Sequence, residues 1–283
     1  MLACKNLIFG ASGIIGSKFI KKLNIKNSLF TSRKKPNITK KINWQKIDLD
    51  KSNLNKLPQN VKTIFFFASP YYTNKNLKMN NCFKKELLWI KKIIRKISCE
   101  KFVYTSSSSV YSNNHQIGIY KKKIEKELSL SKIKFVQIWR PFSLIGFNNN
   151  TLSDHFHNAL IKKVLKTKKK KINFNGSIDD ERGYSSVEKF CDEVYKKQKI
   201  DKSFIYNYRN KNTVKLKKII EIFKLVLKKN KLKSFSYKFK NLKTNKNYDY
   251  KKLDKVKTIF SNEKSDKVLY NHFNNVIYNE KKL

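Results

Sequence analysis

The sequence predicts an α/β fold, a doubly wound parallel sheet followed by a small C-terminal part. Short apolar runs alternate with helical patterns through the first half of the chain, which is typical of βαβ units. These runs are apolar nearly throughout, as expected for strands that helices cover on both faces. The predicted strands are residues 6–9, 28–31, 44–47, 63–67, 101–105, 134–139 and 203–208.

Helices are predicted where apolar residues recur with helical spacing between or after these strands. From residue 229 onward the chain is rich in lysine and aromatic residues, and only a last helix is predicted there. The predicted helices are residues 14–23, 81–97, 120–130, 186–196, 216–228 and 266–278.

The net charge is strongly positive, +45, from 65 Lys and Arg residues against 20 Asp and Glu residues. One interpretation is a nucleic-acid-binding protein, since phosphate backbones attract dense cations. The other is a general enrichment in Lys, Asn and Ile on every exposed face. We favour enrichment, because the lysines are spread along the whole chain. Nucleic acid is then not the expected partner, although such a surface attracts anionic small molecules.

The spacing of the cysteines and histidines predicts no metal site. His155 and His157 are two residues apart, so on a helix their side chains would point away from each other. No two cysteines form a C-x-x-C pair, which favours a reducing compartment over a disulfide framework. No apolar run is long enough to span a bilayer, so we expect a cytoplasmic protein without a membrane segment. The cysteines are Cys4, Cys82, Cys99 and Cys191.

Three glycines follow the first predicted strand and open the first helix, which is the context of a dinucleotide fingerprint. Glycine allows a tight turn and lets backbone N–H groups approach a pyrophosphate. We predict a Rossmann NAD(P)-binding core over residues 1–146, completed near residues 186–208, and a substrate-binding part over residues 147–185 and 209–283. An ordinary βα turn is the alternative. The predicted cofactor contacts of the turn are Gly10, Ser12, Gly13, Ile14, Ile15 and Gly16.

The residues after the second strand indicate which dinucleotide is bound. NAD sites usually place a carboxylate there for the ribose hydroxyls, whereas an arginine suits a 2′-phosphate. Residues 27–35 contain no carboxylate, and Ser32 and Arg33 stand at the end of the strand. The sequence therefore favours NADP(H) as cofactor, with NAD(H) as the alternative.

From here the sequence resembles the NAD(P)-dependent epimerase/dehydratase family, the extended short-chain dehydrogenases. Three segments carry the resemblance: residues 102–111 with their run of serines, residues 139–146 with an Arg-Pro pair, and residues 182–192. The resemblance implies that Ser107, four residues before Tyr111, is the catalytic serine. It also implies further cofactor contacts at Asp48, Leu49, Ala68 and Ser69, and substrate contacts at Ser108, Arg140 and Arg182.

The family pattern has an acid/base tyrosine and, four residues later, a lysine that favours the phenolate and holds the nicotinamide ribose. Here Tyr120 is followed four residues later by Ile124, so Lys123, three residues on, is the expected substitute. The family often has a glutamate four residues after the lysine, and Lys123 with Glu127 fits that spacing. That second alignment leaves no tyrosine in the acid/base position. We favour Tyr120 and Lys123 as the catalytic pair; Tyr120 as a surface aromatic is the alternative.

The resemblance implies an enzyme that transfers a hydride between a nicotinamide and a nucleotide-linked or related sugar, in surface polysaccharide synthesis. The preference for NADP favours reduction of a keto-sugar over epimerisation or dehydration. Two alternatives remain: a non-catalytic NADP-binding sensor or assembly protein, and a basic RNA-binding relative. Relatives pair through a four-helix interface, which predicts a homodimer through residues 81–97 and 120–130.

Overall fold

A computed structural model describes residues 4–70, 79–112, 116–146, 156–166, 171–175, 177–240 and 255–280. No helix within these ranges is both long and apolar enough to cross a membrane. The strands in chain order are β1 (Asn6–Phe9), β2 (Ser28–Ser32), β3 (Trp44–Lys46), β4 (Asn60–Phe66), β5 (Ser98–Thr105), β6 (Phe135–Pro141), β7 (Leu144–Ile145), β8 (Lys171–Asn175), β9 (Glu181–Gly183), β10 (Ser185–Ser186), β11 (Phe204–Asn210), β12 (Thr213–Lys215), β13 (Ser236–Lys240) and β14 (Thr258–Ser261).

Seven α-helices lie in the described part of the chain. Short 3₁₀ turns add to them, among them Ile20–Lys22, which extends the first helix, and Ser108–Tyr111. The α-helices are α1 (Ile14–Phe19), α2 (Met79–Lys96), α3 (Gln116–Ser129), α4 (Phe156–Ile161), α5 (Val187–Lys197), α6 (Leu216–Lys229) and α7 (Ser265–Glu280).

The central sheet has eight strands in the order β14-β11-β6-β5-β4-β1-β2-β3. Each pair from β11 to β3 is parallel. Its inner strands are buried on both faces: every residue of β2 is buried, including its three hydroxyl residues, and β4 ends in the buried apolar run Ile64, Phe65 and Phe66. This mostly parallel sheet with flanking helices confirms the predicted Rossmann-type fold.

The chain divides into two compact units. Unit 1 comprises the described residues within Met1–Pro141, Glu188–Tyr208 and Lys246–Ile259; unit 2 comprises those within Phe142–Val187, Arg209–Asn245 and Phe260–Leu283. This division departs from the predicted boundaries at two points. Residues 142–146 lie in unit 2, and residues 255–259 lie in unit 1, where the unpredicted strand β14 begins.

Unit 2 has its own apolar core. Helices α6 and α7 pack together through buried residues such as Phe223, Val226 and Phe273. Three two-stranded sheets complete the unit: β7 with β10 and β8 with β13 are parallel, and β9 with β12 is antiparallel. The sequence predicted α6 and α7 but none of these short strands, since segments of two to five residues carry too little pattern to identify.

Candidate active site

The carboxyl ends of β1 and β4 lie side by side where the strand order reverses. From β1 the sheet continues to β2 and β3 on one side and to β4, β5 and β6 on the other. In open α/β sheets, ligands bind outside the carboxyl ends of the strands at such a point. The turn from Gly10 to Gly16, Ala68 and Ser69 after β4, and Thr105 at the end of β5 all lie at this edge.

The glycine turn has no room for side chains at two positions. Gly10 has a φ of +82°, which favours glycine, and a Cβ there would lie 2.5 Å from the backbone nitrogen of Ala68. A Cβ on Gly16 would clash with the Gly10 carbonyl oxygen. The glycines therefore let the backbone of the turn pack directly against the end of β4 and against itself. The backbone N–H of Gly13 closes the turn on the Gly10 carbonyl at 2.9 Å.

The three other predicted contacts of the turn lie around these glycines. Ser12, Ile14 and Ile15 are each half-buried, and Ile14 begins α1. Helix α5 packs behind this segment, since the Cys191 thiol donates to the Ile15 carbonyl and Glu188 pairs with Lys18 at 2.7 Å. Burial raises the pKa of the Cys191 thiol, so this cysteine packs as a neutral apolar group.

At the end of β2, the two residues that predicted NADP(H) differ sharply in exposure. Ser32 is buried; its hydroxyl donates to the Lys34 carbonyl at 2.7 Å and accepts the Trp44 indole N–H at 3.0 Å. Arg33 is exposed. The Ser32 hydroxyl thus has a protein partner both as donor and as acceptor. Of the two residues, Arg33 is the one whose side chain is exposed to solvent.

The loop after β3 holds the two predicted adenine-side contacts. Asp48 is half-buried, and its carboxylate accepts the backbone N–H of Asp50 at 3.1 Å. Leu49 is buried. Asp50 in turn accepts from Lys85 at 3.0 Å and from the Trp89 indole at 2.9 Å. Burial acts to raise the pKa of Asp50, but these hydrogen bonds and the nearby positive charges outweigh it and lower that pKa.

Ser107 caps the 3₁₀ turn Ser108–Tyr111. Its hydroxyl accepts the Ser109 backbone N–H at 3.1 Å and donates to the Ser109 hydroxyl at the same distance. Ser107 and Ser108 are half-buried, whereas Val110 and Tyr111 are buried. The serine segment therefore follows the carboxyl end of β5 as a short, internally hydrogen-bonded turn.

Helix α3 packs closely against this turn at Gly118, a residue that was not predicted to have a role. A Cβ on Gly118 would clash with the Ser109 carbonyl oxygen. Only glycine permits this approach of helix to turn, so Gly118 determines which residues of α3 face the sheet. The buried residues of the helix are Gly118, Lys121, Ile124, Glu125 and Leu128.

The lysines of α3 point in different directions. Lys123 is exposed, and its ammonium lies 5.2 Å from the centroid of the half-buried Tyr120 ring. Lys121 is the lysine that α3 directs inward: its side chain is 7% exposed and donates to the Thr105 carbonyl at 3.2 Å. The predicted contact between Tyr120 and Lys123 exists, but on the outward side of the helix.

Lys121 is paired with a buried carboxylate that was also missed. Glu86, on α2, accepts from the Lys121 ammonium at 2.6 Å and from the Tyr104 hydroxyl at 2.9 Å, both at Oε1. Its other oxygen, Oε2, lies 3.4 Å from the hydroxyl of Ser69, which is exposed. The Lys121 ammonium also lies 4.8 Å from the Tyr104 ring centroid. These contacts connect α2, α3 and the ends of β4 and β5.

Arg140 belongs to a second buried network in unit 1. Its guanidinium donates to both carboxylate oxygens of Glu125 at 3.0 and 2.5 Å and to the Tyr111 hydroxyl at 2.9 Å. Tyr111 donates to Asn207 at 2.7 Å, and Ser106 donates to Glu125. Burial acts to lower the pKa of Arg140, but Glu125 outweighs it and raises that pKa. All three guanidinium nitrogens thus bind within the protein, and the substrate contact at Arg140 stays a prediction.

Arg182, the other predicted substrate contact, lies on β9 of unit 2 and is half-buried. Nearby in that unit, burial raises the pKa of Tyr184 to about 12. His157 lies on α4 with its ring centroid 5.7 Å from that of Tyr184. His155 and the side chain of Cys82 lie outside the described residues. Within the described ranges, no three His, Cys, Asp or Glu side chains are grouped so as to hold a metal ion.

Helical periodicity is the signal that could have found Lys121. Ile124 and Leu128 define the apolar face of α3, and Lys121 lies one turn before them on the same face. Glu125 follows Lys121 by four residues, which is the spacing of lysine and glutamate in the family pattern. In that alignment the position of the acid/base tyrosine is occupied by Ile117, a half-buried residue. Gly118 and Glu86 gave no comparable signal, because their roles depend on contacts with distant segments.

Comparisons with known proteins agree with this architecture. The family model described as NAD dependent epimerase/dehydratase family matches residues 6–131. The structure of MoeE5 in complex with UDP-glucuronic acid and NAD is 17% identical, with a TM-score of 0.68, and the match covers 99% of this chain and 100% of that one. No curated protein sequence matches the chain.

Two epimerase structures are similar to the same extent. The UDP-N-acetylglucosamine 4-epimerase from Methanobrevibacter ruminantium M1 in complex with UDP-N-acetylmuramic acid is 16% identical, with a TM-score of 0.70 over 98% of this chain and 99% of that one. The UDP-glucuronic acid 4-epimerase from Bacillus cereus in complex with UDP-glucuronic acid and NAD is 16% identical, with a TM-score of 0.70 over 99% and 100%. The sequence match over residues 6–131 and the shared fold confirm that this chain resembles the NAD-dependent epimerase/dehydratase family.

Proposed function

We propose that this chain is an enzyme that binds a nicotinamide dinucleotide and acts on a nucleotide-linked sugar. The glycine turn carries the proposal. Gly10 and Gly16 have no space for a Cβ, so the bare backbone of the turn lies at the sheet edge where dinucleotides bind. A turn with no such requirement would accept alanine. The names of the similar structures, which include UDP-sugars and NAD, support the same class of ligand.

The residues at this edge fit a dinucleotide. The backbone from Gly10 to Gly16 would hold the pyrophosphate, the loop at Asp48 and Leu49 the adenine, and Ala68 with Ser69 the central part of the cofactor. The inward lysine for the nicotinamide ribose is Lys121 in place of Lys123. When bound, the dinucleotide supplies a hydride acceptor or donor. Ser107, at the carboxyl end of β5, is the hydroxyl that would orient the substrate.

The choice between NADP(H) and NAD(H) is argued from residues alone. No carboxylate occurs in residues 27–35, and the exposed Arg33 suits a 2′-phosphate. We therefore retain NADP(H) as the preferred cofactor. The similar structures with a named cofactor contain NAD and lend this preference no support.

The substrate class follows from charge and resemblance. A chain with a net charge of +45 attracts anionic substrates such as nucleotide sugars. Unit 2, with Arg182, is the predicted substrate-binding part. Reduction of a keto-sugar, a role in surface polysaccharide synthesis and pairing through α2 and α3 all stay predictions. Neither the non-catalytic nor the RNA-binding alternative is favoured by the comparisons.

The test is calorimetric titration of NADH and NADPH into the wild type, Arg33→Ala and Arg95→Ala, at one salt concentration. Arg95 is the matched control, since it is also an exposed arginine but lies near the end of α2. We expect dissociation constants in the micromolar range for the wild type. Arg33→Ala should weaken NADPH about tenfold or more, the loss of one charge-assisted phosphate contact, and leave NADH within about twofold.

The control variant Arg95→Ala should bind both dinucleotides like the wild type. Failure of the wild type to bind either dinucleotide would overturn the proposed function. Equal weakening of NADPH by both arginine variants would instead show a general charge effect, and NADP preference would be abandoned.

A further inference from the structure

The proposed reaction needs a group that exchanges a proton when a hydride moves, and the aligned position on α3 carries Ile117, which cannot. The carboxylate of Glu86 lies near the carboxyl ends of β4 and β5. Glu86 is fully buried, and the two oxygens of its carboxylate have different partners. Oε1 is occupied by the Lys121 ammonium at 2.6 Å and the Tyr104 hydroxyl at 2.9 Å.

The second oxygen of Glu86 is directed toward the sheet edge. Oε2 accepts from the Ser69 hydroxyl at 3.4 Å, and Ser69 is exposed three residues after β4 ends. Ser69 follows Ala68, whose backbone lies against Gly10 of the glycine turn. The Ser69 hydroxyl thus connects the buried carboxylate of Glu86 to the place where the dinucleotide is proposed to bind.

Lys121 is suited to positioning Glu86 rather than to accepting a proton. A charged lysine has three donors and no acceptor, and here it donates to Glu86 and to the Thr105 carbonyl. Among the described residues, Oε2 of the carboxylate accepts from the Ser69 hydroxyl. A carboxylate within hydrogen-bond reach of the ligand edge is a candidate for acid/base work, because the first requirement of a general base is its position.

We propose that Glu86 is the proton acceptor and donor of this site and that it acts through the Ser69 hydroxyl; this inference rests on the proposed function. In the oxidative direction, the substrate hydroxyl proton passes to Ser69 Oγ as the Ser69 proton passes to Glu86 Oε2. The C–H bond breaks with loss of a hydride to the bound dinucleotide, the oxidant, and the C=O bond forms. Glu86 ends protonated and neutral, and reduction reverses each transfer.

The first readout needs no substrate. Protein labelled with ¹³C at the glutamate side-chain carboxyl is titrated with NADH by NMR, and the Glu86 signal is assigned by its absence in Glu86→Gln. We expect the signal to shift as NADH binds, because the Ser69 hydroxyl connects Glu86 Oε2 to the sheet edge, and to shift less in Ser69→Ala. A Glu86 signal that NADH binding leaves unchanged, or that shifts equally in Ser69→Ala, would overturn the proposal.

The second readout is the absorbance of reduced nicotinamide after NAD- or NADP-loaded protein is mixed with UDP-glucose or UDP-glucuronic acid. Glu86→Gln should slow this reduction about a hundredfold or more, the usual contribution of acid/base catalysis, while NADH affinity stays within about threefold. Glu127→Gln, on the outward side of α3, is the matched control and should react at the wild-type rate.

Ser69→Ala removes an exposed hydroxyl and keeps the test decisive if Glu86→Gln does not fold; we expect it to slow reduction about tenfold. Unchanged rates in both variants would overturn the role of Glu86 and leave the proposed function intact. Loss of dinucleotide binding by the wild type would overturn both. If neither sugar reduces the nicotinamide, the NMR titration decides alone.

Discussion

Both sides of helix α3 carry lysine and glutamate, but in opposite environments. The inner side carries Lys121 and Glu125, both buried, and each has a partner of opposite charge. The charged residues of the outer side are exposed lysines and the half-buried Glu127, which pairs with Lys91 at 3.2 Å. In a chain with a net charge of +45, a lysine therefore conveys little by its presence, and burial with a partner distinguishes the ones that build the site. The exposed lysines of the outer side are Lys122, Lys123 and Lys126.

The largest expected difference between the two sides concerns their carboxylates. Glu125→Gln would leave the buried guanidinium of Arg140 without its bidentate partner. Removing one member of a buried pair costs about 3–5 kcal/mol, because it leaves an uncompensated charge. Glu127→Gln, in the same helix, should cost no more than about 1 kcal/mol, since its ion pair is largely exposed. Urea unfolding of the two variants measures both; equal effects would remove the distinction between the inner and outer sides.

The next prediction concerns how α3 is seated. Gly118→Ala would place a methyl group against the Ser109 carbonyl oxygen, so helix and turn must separate. We expect a loss of about 1–3 kcal/mol in the free energy of unfolding, typical of overpacking. Lys122→Ala, at an exposed position of the same helix, should change it by less than about 0.5 kcal/mol. A neutral or stabilising Gly118→Ala would show that α3 does not need this close approach.

The smallest expected effect tests a pair of intermediate exposure, Asp50 and Lys85. The pKa of Asp50 is lower in the folded protein than in the unfolded chain. The charged Asp50 therefore stabilises the fold at any pH above its pKa in the unfolded chain, and this contribution is lost as the pH falls through its pKa in the folded protein. Lys85→Met should therefore reduce stability by less than about 1 kcal/mol at neutral pH. This difference should be complete above about pH 5 and should shrink as the pH falls below the unfolded pKa of about 4. A difference that persists at low pH would show lost packing, not lost charge.

The positions of several sheet strands could be predicted from the sequence, because these strands are largely continuous apolar runs. The observed bounds of β1 match the prediction, and those of β2, β3 and β6 differ from it by one or two residues. Helices α6 and α7 were also identified, since their apolar residues recur with helical spacing. The short strands of unit 2 and the return of β14 to the central sheet were missed, because they depend on pairing with distant segments.

The candidate site divides in the same way. Gly10 and Gly16 could be selected from local sequence, since a tight turn after a strand has a recognisable pattern, and Ser107 from the family resemblance. Spacing from Tyr120 pointed to Lys123, whereas the helical spacing of Ile124 and Leu128 places Lys121 on the inner face. The contact of Gly118 with Ser109 sets the direction of that face.

By itself, the sequence determined the doubly wound sheet, the position of the glycine turn and the resemblance to the NAD-dependent epimerase/dehydratase family. These features are local, so the identity and spacing of nearby residues are sufficient to specify them. Only the tertiary structure decided that Glu86 is the partner of Lys121 and that Arg140 is bound to Glu125. Such pairings join residues 15 to 35 positions apart, and they form because a buried charge is stable only when folding brings an opposite charge to it.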